Sequence, residues 1–310
     1  MQEHIPLAPY TIYKIGGPAR YFTEVRTTEE LSRALNFARE KNVPFFVFGG
    51  GSNMLIADRG FDGLAIRITG GEVRVEGERV IADAGVMMAR AVAVCADAGL
   101  TGFEWGIGVP GTIGGSIRGN AGCFGGEMKD MVESVEVLDA SNDTRHTLHA
   151  ISCEFSYRDS IFKRHPEWVI VSATLHLERG DANAIRNCIA EVTRERTAKQ
   201  DIGTKSCGCI FKNVLWDLCG ESKDALCARN PVLSPFRHST HIPASLLLDK
   251  AGMKGHAAGR ARISHAHANF FINEGGASAE EVRALITHAQ NEVFRIFGVR
   301  VEEEIQYIGF

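Results

Sequence analysis

The stretch Phe45-Phe46-Val47-Phe48-Gly49-Gly50-Gly51-Ser52-Asn53 decides the fold. Four apolar residues released by Pro44 predict a buried strand, and the strand ends in three adjacent glycines. Glycines after a strand expose backbone N–H groups, because no Cβ blocks close approach, and such groups can surround a pyrophosphate. Ser52 and Asn53 add side-chain donors. An ordinary tight turn is the competing reading, but three glycines in a row lose much conformational entropy for a turn that needs only one.

Upstream, Thr27 and Glu30 have capping-box spacing, and Leu31, Ala34, Leu35 and Ala38 follow at helical intervals. The first segment therefore reads β-α-β. Alternation at Leu64-Ala65-Ile66-Arg67-Ile68 and at Val73-Arg74-Val75 predicts a hairpin. Met87 to Leu100 reads as a helix stopped by Gly99. From Thr101 to Glu127 the chain carries ten glycines in a loop-like run, and its apolar content argues for function rather than disorder. Strands are expected at Val135–Leu138 and Trp168–Val171. Ile185, Cys188, Ile189 and Val192 mark a helix ending near Gln200. Beyond it lie a short helix at 244–251 and a longer one capped by Ser278 and Glu281. The longer helix has the stripe Val282, Leu285, Ile286, Ala289, Val293 and Ile296, stops at Gly298, and is followed by alternation from Val299 to Ile308 that predicts a terminal strand.

Composition sets the bounds. The chain has 310 residues, which at roughly 150 per domain suggests two domains or three small ones. Apolar residues make up 45% and the net charge is −4 without long runs of one sign, so nucleic-acid binding and membrane insertion are disfavoured. No run approaches the ~18 apolar residues of a span, and Met1 to Tyr10 does not read as a secretory signal. Eight cysteines spread over a long chain favour free thiols in a reducing cytoplasm. The 33 glycines exceed the usual share of roughly 7%, and much of the excess sits in the two clusters.

The second cluster contains Gly106-Ile107-Gly108-Val109-Pro110-Gly111, a literal G-x-G-x-x-G. No strand leads into it and Pro110 interrupts the turn, so a Rossmann nicotinamide site is rejected. Gly111-Thr112-Ile113-Gly114-Gly115 and Gly119-Asn120-Ala121-Gly122 then offer two backbone-exposing loops, which suit a long diphosphate cofactor held extended.

These blocks carry a family resemblance. Ile15-Gly16-Gly17-Pro18-Ala19, Gly49 to Asn53 and Val109 to Gly115 resemble those of UDP-N-acetylenolpyruvoylglucosamine reductases. So do Asn120-Ala121-Gly122, Tyr157-Arg158-Asp159-Ser160, Phe211-Lys212-Asn213, Ala251 to Gly255, Ile263 to Phe270 and Glu302 to Ile305. The resemblance spans nearly the whole chain in order, and the lack of a tyrosine-bearing extra loop between Lys163 and Gln200 is similar to the family's shorter subtype.

The resemblance implies an α+β fold: a two-part FAD-binding module of the PCMH, vanillyl-alcohol-oxidase-like kind, plus a smaller α+β substrate-binding domain. It divides the chain into 1–68, with a C-terminal strand 299–310 returning to the FAD module, then 69–200, then 201–298. It implies FAD and NADPH as cofactors, a UDP-sugar enolpyruvyl ether as substrate, a cytoplasmic monomer, and a role in cell-wall precursor synthesis. Gly49, Gly50, Gly51, Ser52, Asn53, Gly111, Thr112, Gly114, Gly115, Asn120 and Gly122 are then the FAD contacts. Tyr157, Asn213 and His267 are the substrate contacts. Arg158 stabilises an enolate, a task suited to a permanently charged guanidinium with two parallel donors. Glu304 stands at the same carboxyl group, as an acid or by orienting Arg158.

The proton donor departs from the family pattern. Where serine is usual, two positions before Phe211-Lys212-Asn213, this chain has Cys209. A thiol with an ordinary pKa of ~8.5 is mostly protonated at pH 7 and far more acidic than a hydroxyl, so general-acid function is expected to survive. Val214 stands where proline is usual. The stretch 215–241 is longer than expected, reads as a surface insertion, and holds Cys219, Cys227, His238 and His241. With Cys207 and Cys209 these lack zinc-knuckle spacing, so no metal is expected. A Cys207 disulfide to Cys209 or Cys219 under oxidation is a further possibility. Two alternatives stay open: an FAD oxidase of this fold, and a flavin-binding relative with another acceptor or no turnover.

Overall fold

A computed structural model describes residues 1–199 and 203–310. The chain forms two units. One comprises residues 1–5, 18–51 and 61–198; the other comprises 6–17, 52–60 and 199–310. The expected helix end at Gln200 and the boundary at 200/201 lie outside the described residues.

The first unit holds two sheets. In one, Pro18–Val25 and Phe45–Phe48 both pair in parallel with Phe61–Ile68, with Gln2–Pro6 at the edge. The crossover helix Thr28–Lys41 starts where the sequence indicates: Thr27 accepts from the Glu30 N–H, and Leu31, Ala34, Leu35 and Ala38 are buried. Because the strands are parallel, their carboxyl ends lie along one edge, and the chain leaves that edge at Arg26, Gly49 and Thr69. The second sheet is an antiparallel one of five strands, in the order Thr144–His149, Val132–Asp139, Trp168–His176, Arg79–Asp83, Val73–Glu76. The predicted hairpin between 64–68 and 73–75 is therefore corrected. Val73–Glu76 folds back on Arg79–Asp83 instead, while 61–68 is sandwiched in the parallel sheet.

The glycine-rich run 101–127 contains more order than a loop. It includes a 3-10 turn at Glu104–Gly108, the short helix Ile113–Arg118 and a two-stranded ladder of Gly122–Cys123 with Gly126–Glu127. Helix Met88–Asp97 ends as expected at Gly99, whose φ is +68°.

The second unit is built around helix Ala279–Phe297. Its capping box is complete in both directions, and Gly298 closes it at φ +70°. The buried stripe ends at Phe297, while Ile296 is 37% exposed, so the last position of the predicted stripe is off by one residue. Against this helix pack Ala244–Lys250 and a three-stranded sheet of Ala257–Ala258, Ala261–Ile263 and Phe271–Asn273. The terminal strand is shorter than predicted: only Gln306–Ile308 forms a ladder, in parallel with Met54–Ile56.

The stretch after Asn213 is not a surface appendage. Val214–Leu215 pairs with His241–Ile242, closing the excursion at its base. Val214 thus stands in a strand ladder, a setting that disfavours proline. Within the excursion Trp216, Leu226 and Leu233 join the buried core of this unit. Arg229 donates to the Phe297 carbonyl at 2.9 Å and pairs with Glu221.

Candidate active site

In the first unit the two glycine clusters meet. A Cβ placed on Gly49 would stand 2.3 Å from Thr112 Oγ1, and one on Gly50 3.0 Å from Gly111 Cα. Residues 111–114 run along 84–88: the Met88 N–H donates to Gly111 O at 3.1 Å, Ile113 to Val86 O at 2.9 Å and Gly114 to Ala84 O at 3.0 Å. Gly111 adopts φ +116°, which a side chain would strain. Thr112 caps Ile113–Arg118 by accepting from Gly115 N. Beside Ala84 and Gly85, along the carboxyl ends of the parallel strands, opens a cavity of about 520 Å³. Val25, Arg26, Ile68, Thr69 and Val171 also line it. Ligands of sheets with parallel strands enter at this edge, and glycine loops that only hydrogen atoms can line, next to a cavity of nucleoside size, fit a dinucleotide such as FAD.

Tyr157 and Arg158 form the tip of a two-residue turn closed by Ser156 and Asp159, whose N–H groups each donate to the other's carbonyl, at 3.1 and 3.2 Å. Arg158 sits at φ +55°. Its guanidinium donates to Gly122 O at 2.7 Å and Asn120 O at 3.4 Å and packs on the Tyr157 ring. Its own carbonyl accepts from Lys163 Nζ. Asn120 is fully buried: its amide donates to Glu127 and to Ser156 O, and its oxygen accepts from Lys129 N. Asn120 therefore joins the glycine loop to the Arg158 turn. Cys123, next to Gly122, accepts from Arg196 at 3.4 Å; burial raises its thiol pKa, against the opposing pull of Arg196 and Arg158. Nothing in the sequence singled out Arg196 or Cys123, since a single arginine on a helix and a lone cysteine have no pattern.

In the second unit the segment carrying Cys209 and Asn213 is extended. Cys209 bridges Phe270, and Phe211 bridges Glu303. Glu304 N donates to Ile210 O at 2.7 Å, and Lys212 N to Glu302 O at 2.8 Å. The Asn53 amide donates to Glu304 O at 3.2 Å, and Gln306 N donates back to Asn53 O at 3.1 Å. Hence Asn53, Cys209 and Glu304 belong to one continuous backbone network. Asn213 Oδ1 accepts from Ala244 N at 3.0 Å, supplying the cap that Pro243 cannot give to Ala244–Lys250. The His267 ring packs edge-on against Phe270 at 4.7 Å, and the His267 backbone N–H donates to Ser264 Oγ. Cys207 is buried, which raises its thiol pKa strongly. The cysteines among the described residues are all free thiols, and no group of three or more metal-ligating side chains is found among the described residues. No helix among them is long and apolar enough to cross a membrane.

Comparison with known proteins finds two family profiles along the chain. The family profile of an FAD binding domain matches residues 19–148. That of the UDP-N-acetylenolpyruvoylglucosamine reductase C-terminal domain matches residues 200–308. The chain is 37% identical over 304 residues to UDP-N-acetylenolpyruvoylglucosamine reductase of Solibacter usitatus, covering 98% of this chain and 95% of that one. It is 35% identical to the enzyme of the same name from Caldanaerobacter subterraneus, covering 98% and 92%. The crystal structure of UDP-N-acetylenolpyruvylglucosamine reductase from Thermus caldophilus superposes with a TM-score of 0.77 at 31% identity, covering 98% and 97% of the two chains. With an FAD-binding domain, the reductases' own C-terminal domain and full-length likeness, this chain belongs to the UDP-N-acetylenolpyruvoylglucosamine reductase family of flavoprotein oxidoreductases, which serve peptidoglycan precursor synthesis.

Proposed function

We propose that this chain reduces the enolpyruvyl ether of UDP-N-acetylglucosamine to UDP-N-acetylmuramate at the expense of NADPH. The observation that carries this reading is the approach of Gly49 and Gly50 to Gly111 and Thr112, in a chain that matches the reductases from end to end. Gly49, Gly50, Gly51, Ser52, Asn53, Gly111, Thr112, Gly114 and Gly115 would hold the pyrophosphate of FAD, with Ser52 and Asn53 adding side-chain donors and Gly114, whose own N–H is bonded to Ala84 O, acting by its close approach to Ala84. Ala84, Gly85 and the other residues lining the adjacent cavity would give room to a further part of the cofactor. Asn120 and Gly122 act through the loop they shape. Bound there, FAD would supply the hydride chemistry that links NADPH to the terminal carbon of the substrate double bond.

The chain's own residues manage the charge and the proton. Hydride arrival at the terminal methylene breaks the π bond and leaves an electron pair on the adjacent carbon, delocalised into its carboxylate. Arg158 stabilises that charge, and its turn holds the guanidinium in place beforehand, so little reorganisation accompanies the reaction. Glu304 assists at the same carboxyl group. The Cys209 thiol gives its proton to the carbon, completing the lactyl ether and leaving a thiolate that solvent reprotonates. Tyr157, Asn213 and His267 contact the substrate. The shorter-subtype assignment and the cytoplasmic site of action are part of the same proposal.

The test is anaerobic and spectroscopic. Protein loaded with FAD is reduced by NADPH and mixed with the enolpyruvyl ether while flavin absorbance is followed. Prompt reoxidation with lactyl-ether product is the expected result. Reduction without reoxidation would assign the flavin another acceptor and overturn the proposal. Cys209→Ser should reoxidise measurably and Cys209→Ala far more slowly; equal rates would remove Cys209 from the donor role.

A further inference from the structure

The segment that presents Cys209 has an unusual partner. Ile210 N donates to the backbone carbonyl of Asn269 at 2.9 Å, as a neighbouring strand would accept it. At the next residue the neighbour turns away: Phe270 N donates to His267 O at 2.9 Å, and Phe270 O accepts from Ser264 N at 2.8 Å. Both backbone groups of Phe211 would then lack partners on that side. The Asn269 side chain replaces the missing strand. Its Oδ1 accepts from Phe211 N at 2.9 Å, and its Nδ2 donates to Phe211 O at 2.8 Å. Asn269 is only 2% exposed and Phe211 1%, so these bonds form away from water, where an unpaired backbone group costs most. On the opposite edge Glu304 and Glu302 hold Ile210 and Lys212. The register of 209–213 is thus set from both sides, and at Phe211 one side depends on a single amide.

We propose that Asn269 is a positioning residue for the reductase reaction: its buried amide clamps Phe211 and so holds the Cys209 thiol and the Asn213 amide where the substrate needs them. The inference rests on the reading of Cys209 as proton donor. An asparagine suits the task because one planar group offers an acceptor and a donor side by side, matching the N–H and C=O of one residue. Aspartate keeps the acceptor but sets an oxygen against Phe211 O unless it is protonated.

The experiment compares FAD-loaded wild type, Asn269→Ala, Asn269→Asp and Cys209→Ala in separate half-reactions. Reduction by NADPH should stay within about twofold of wild type in both Asn269 variants, while reoxidation by the enolpyruvyl ether slows by about ten- to a hundredfold, the effect of a small misplacement of a reacting group. In Asn269→Asp the reoxidation rate should climb as pH falls, because the neutral carboxyl regains a donor toward Phe211 O; wild type should lack that climb. Three results overturn the proposal: reoxidation at wild-type rate in the Asn269 variants, equal slowing of both half-reactions, or no acid-side recovery in the aspartate variant. If the alanine variant does not accumulate as holoenzyme, the aspartate variant carries all three readouts. Wild-type reoxidation in Cys209→Ala would instead bring down the donor assignment, a failure distinct from that of Asn269.

Discussion

Gly49 lies against Thr112 so closely that a Cβ on it would stand 2.3 Å from the threonine Oγ1 and 2.8 Å from its methyl carbon. Two loops far apart in sequence therefore touch through a hydrogen atom. Thr112 cannot simply rotate aside, since its Oγ1 caps the helix Ile113–Arg118. Gly49→Ala should separate the loops, lower stability by about 1–3 kcal/mol and release FAD. Gly119→Ala, whose Cβ would meet nothing nearer than 3.6 Å, should keep its flavin. Flavin absorbance after gel filtration reads both.

Arg158 is held by two carbonyls, Asn120 O and Gly122 O. A lysine keeps the charge but offers one compact ammonium rather than a fork. Arg158→Lys should reduce stability by about 1–2 kcal/mol through the lost hydrogen bonds. It should slow reoxidation by the substrate about a hundredfold, as loss of one oriented charge donor does, with NADPH reduction of the flavin unchanged. Stopped-flow measurement of the two half-reactions checks this; equal loss in both would mean that the turn supports the flavin site rather than the enolate.

How much of this was legible in the sequence depends on how local each signal is. Thr27, Ser278, Gly99 and Gly298 act on their own helices, and each stands where the sequence places it. The glycine clusters were legible as loops, and the full-length motif order as a family. Strand partners were not. Alternation at 64–68 and 73–75 says that both segments are strands but carries no information on pairing, and the link between them crosses from one sheet to the other instead of turning a hairpin. At 299–308 alternation was equally misleading, because Glu302 and Glu304 bond singly to the 210–212 segment rather than in a ladder. Asn269 lay within a recognised motif, yet its task depends on where a neighbouring backbone turns away, which no spacing rule records.

The excursion after Val214 reads as a surface insertion in sequence because it is longer than the family resemblance implies. In the structure Leu226 and Leu233 are both fully buried in the core around helix Ala279–Phe297, while Leu218 is 68% exposed. Leu226→Ala and Leu233→Ala should each cost about 2–5 kcal/mol. Leu218→Ala should fall within about 0.5 kcal/mol of wild type. Urea midpoints decide: near-neutral values at Leu226 and Leu233 would make the excursion a dispensable appendage.

Two thiols of the first unit give it a sensitivity to alkali. Burial raises the Cys95 thiol from its ordinary value near 9 to about 12, with the Glu104 carboxylate adding to the shift, and raises Cys153 to about 11. In the unfolded chain both would ionise near 9, so between that pH and 11–12 the unfolded state sheds protons that the native state retains. The stabilisation is complete below pH 9 and falls as pH rises through the folded values. Denaturant midpoints should therefore drop steadily from about pH 9 upward. A Cys95→Ala, Cys153→Ala double variant should start lower, because small cavities are created, but show a shallower decline. An undiminished slope in that variant would assign the alkaline loss to other groups, with the buried tyrosine Tyr13, whose hydroxyl is likewise shifted upward by burial, next to be replaced by phenylalanine.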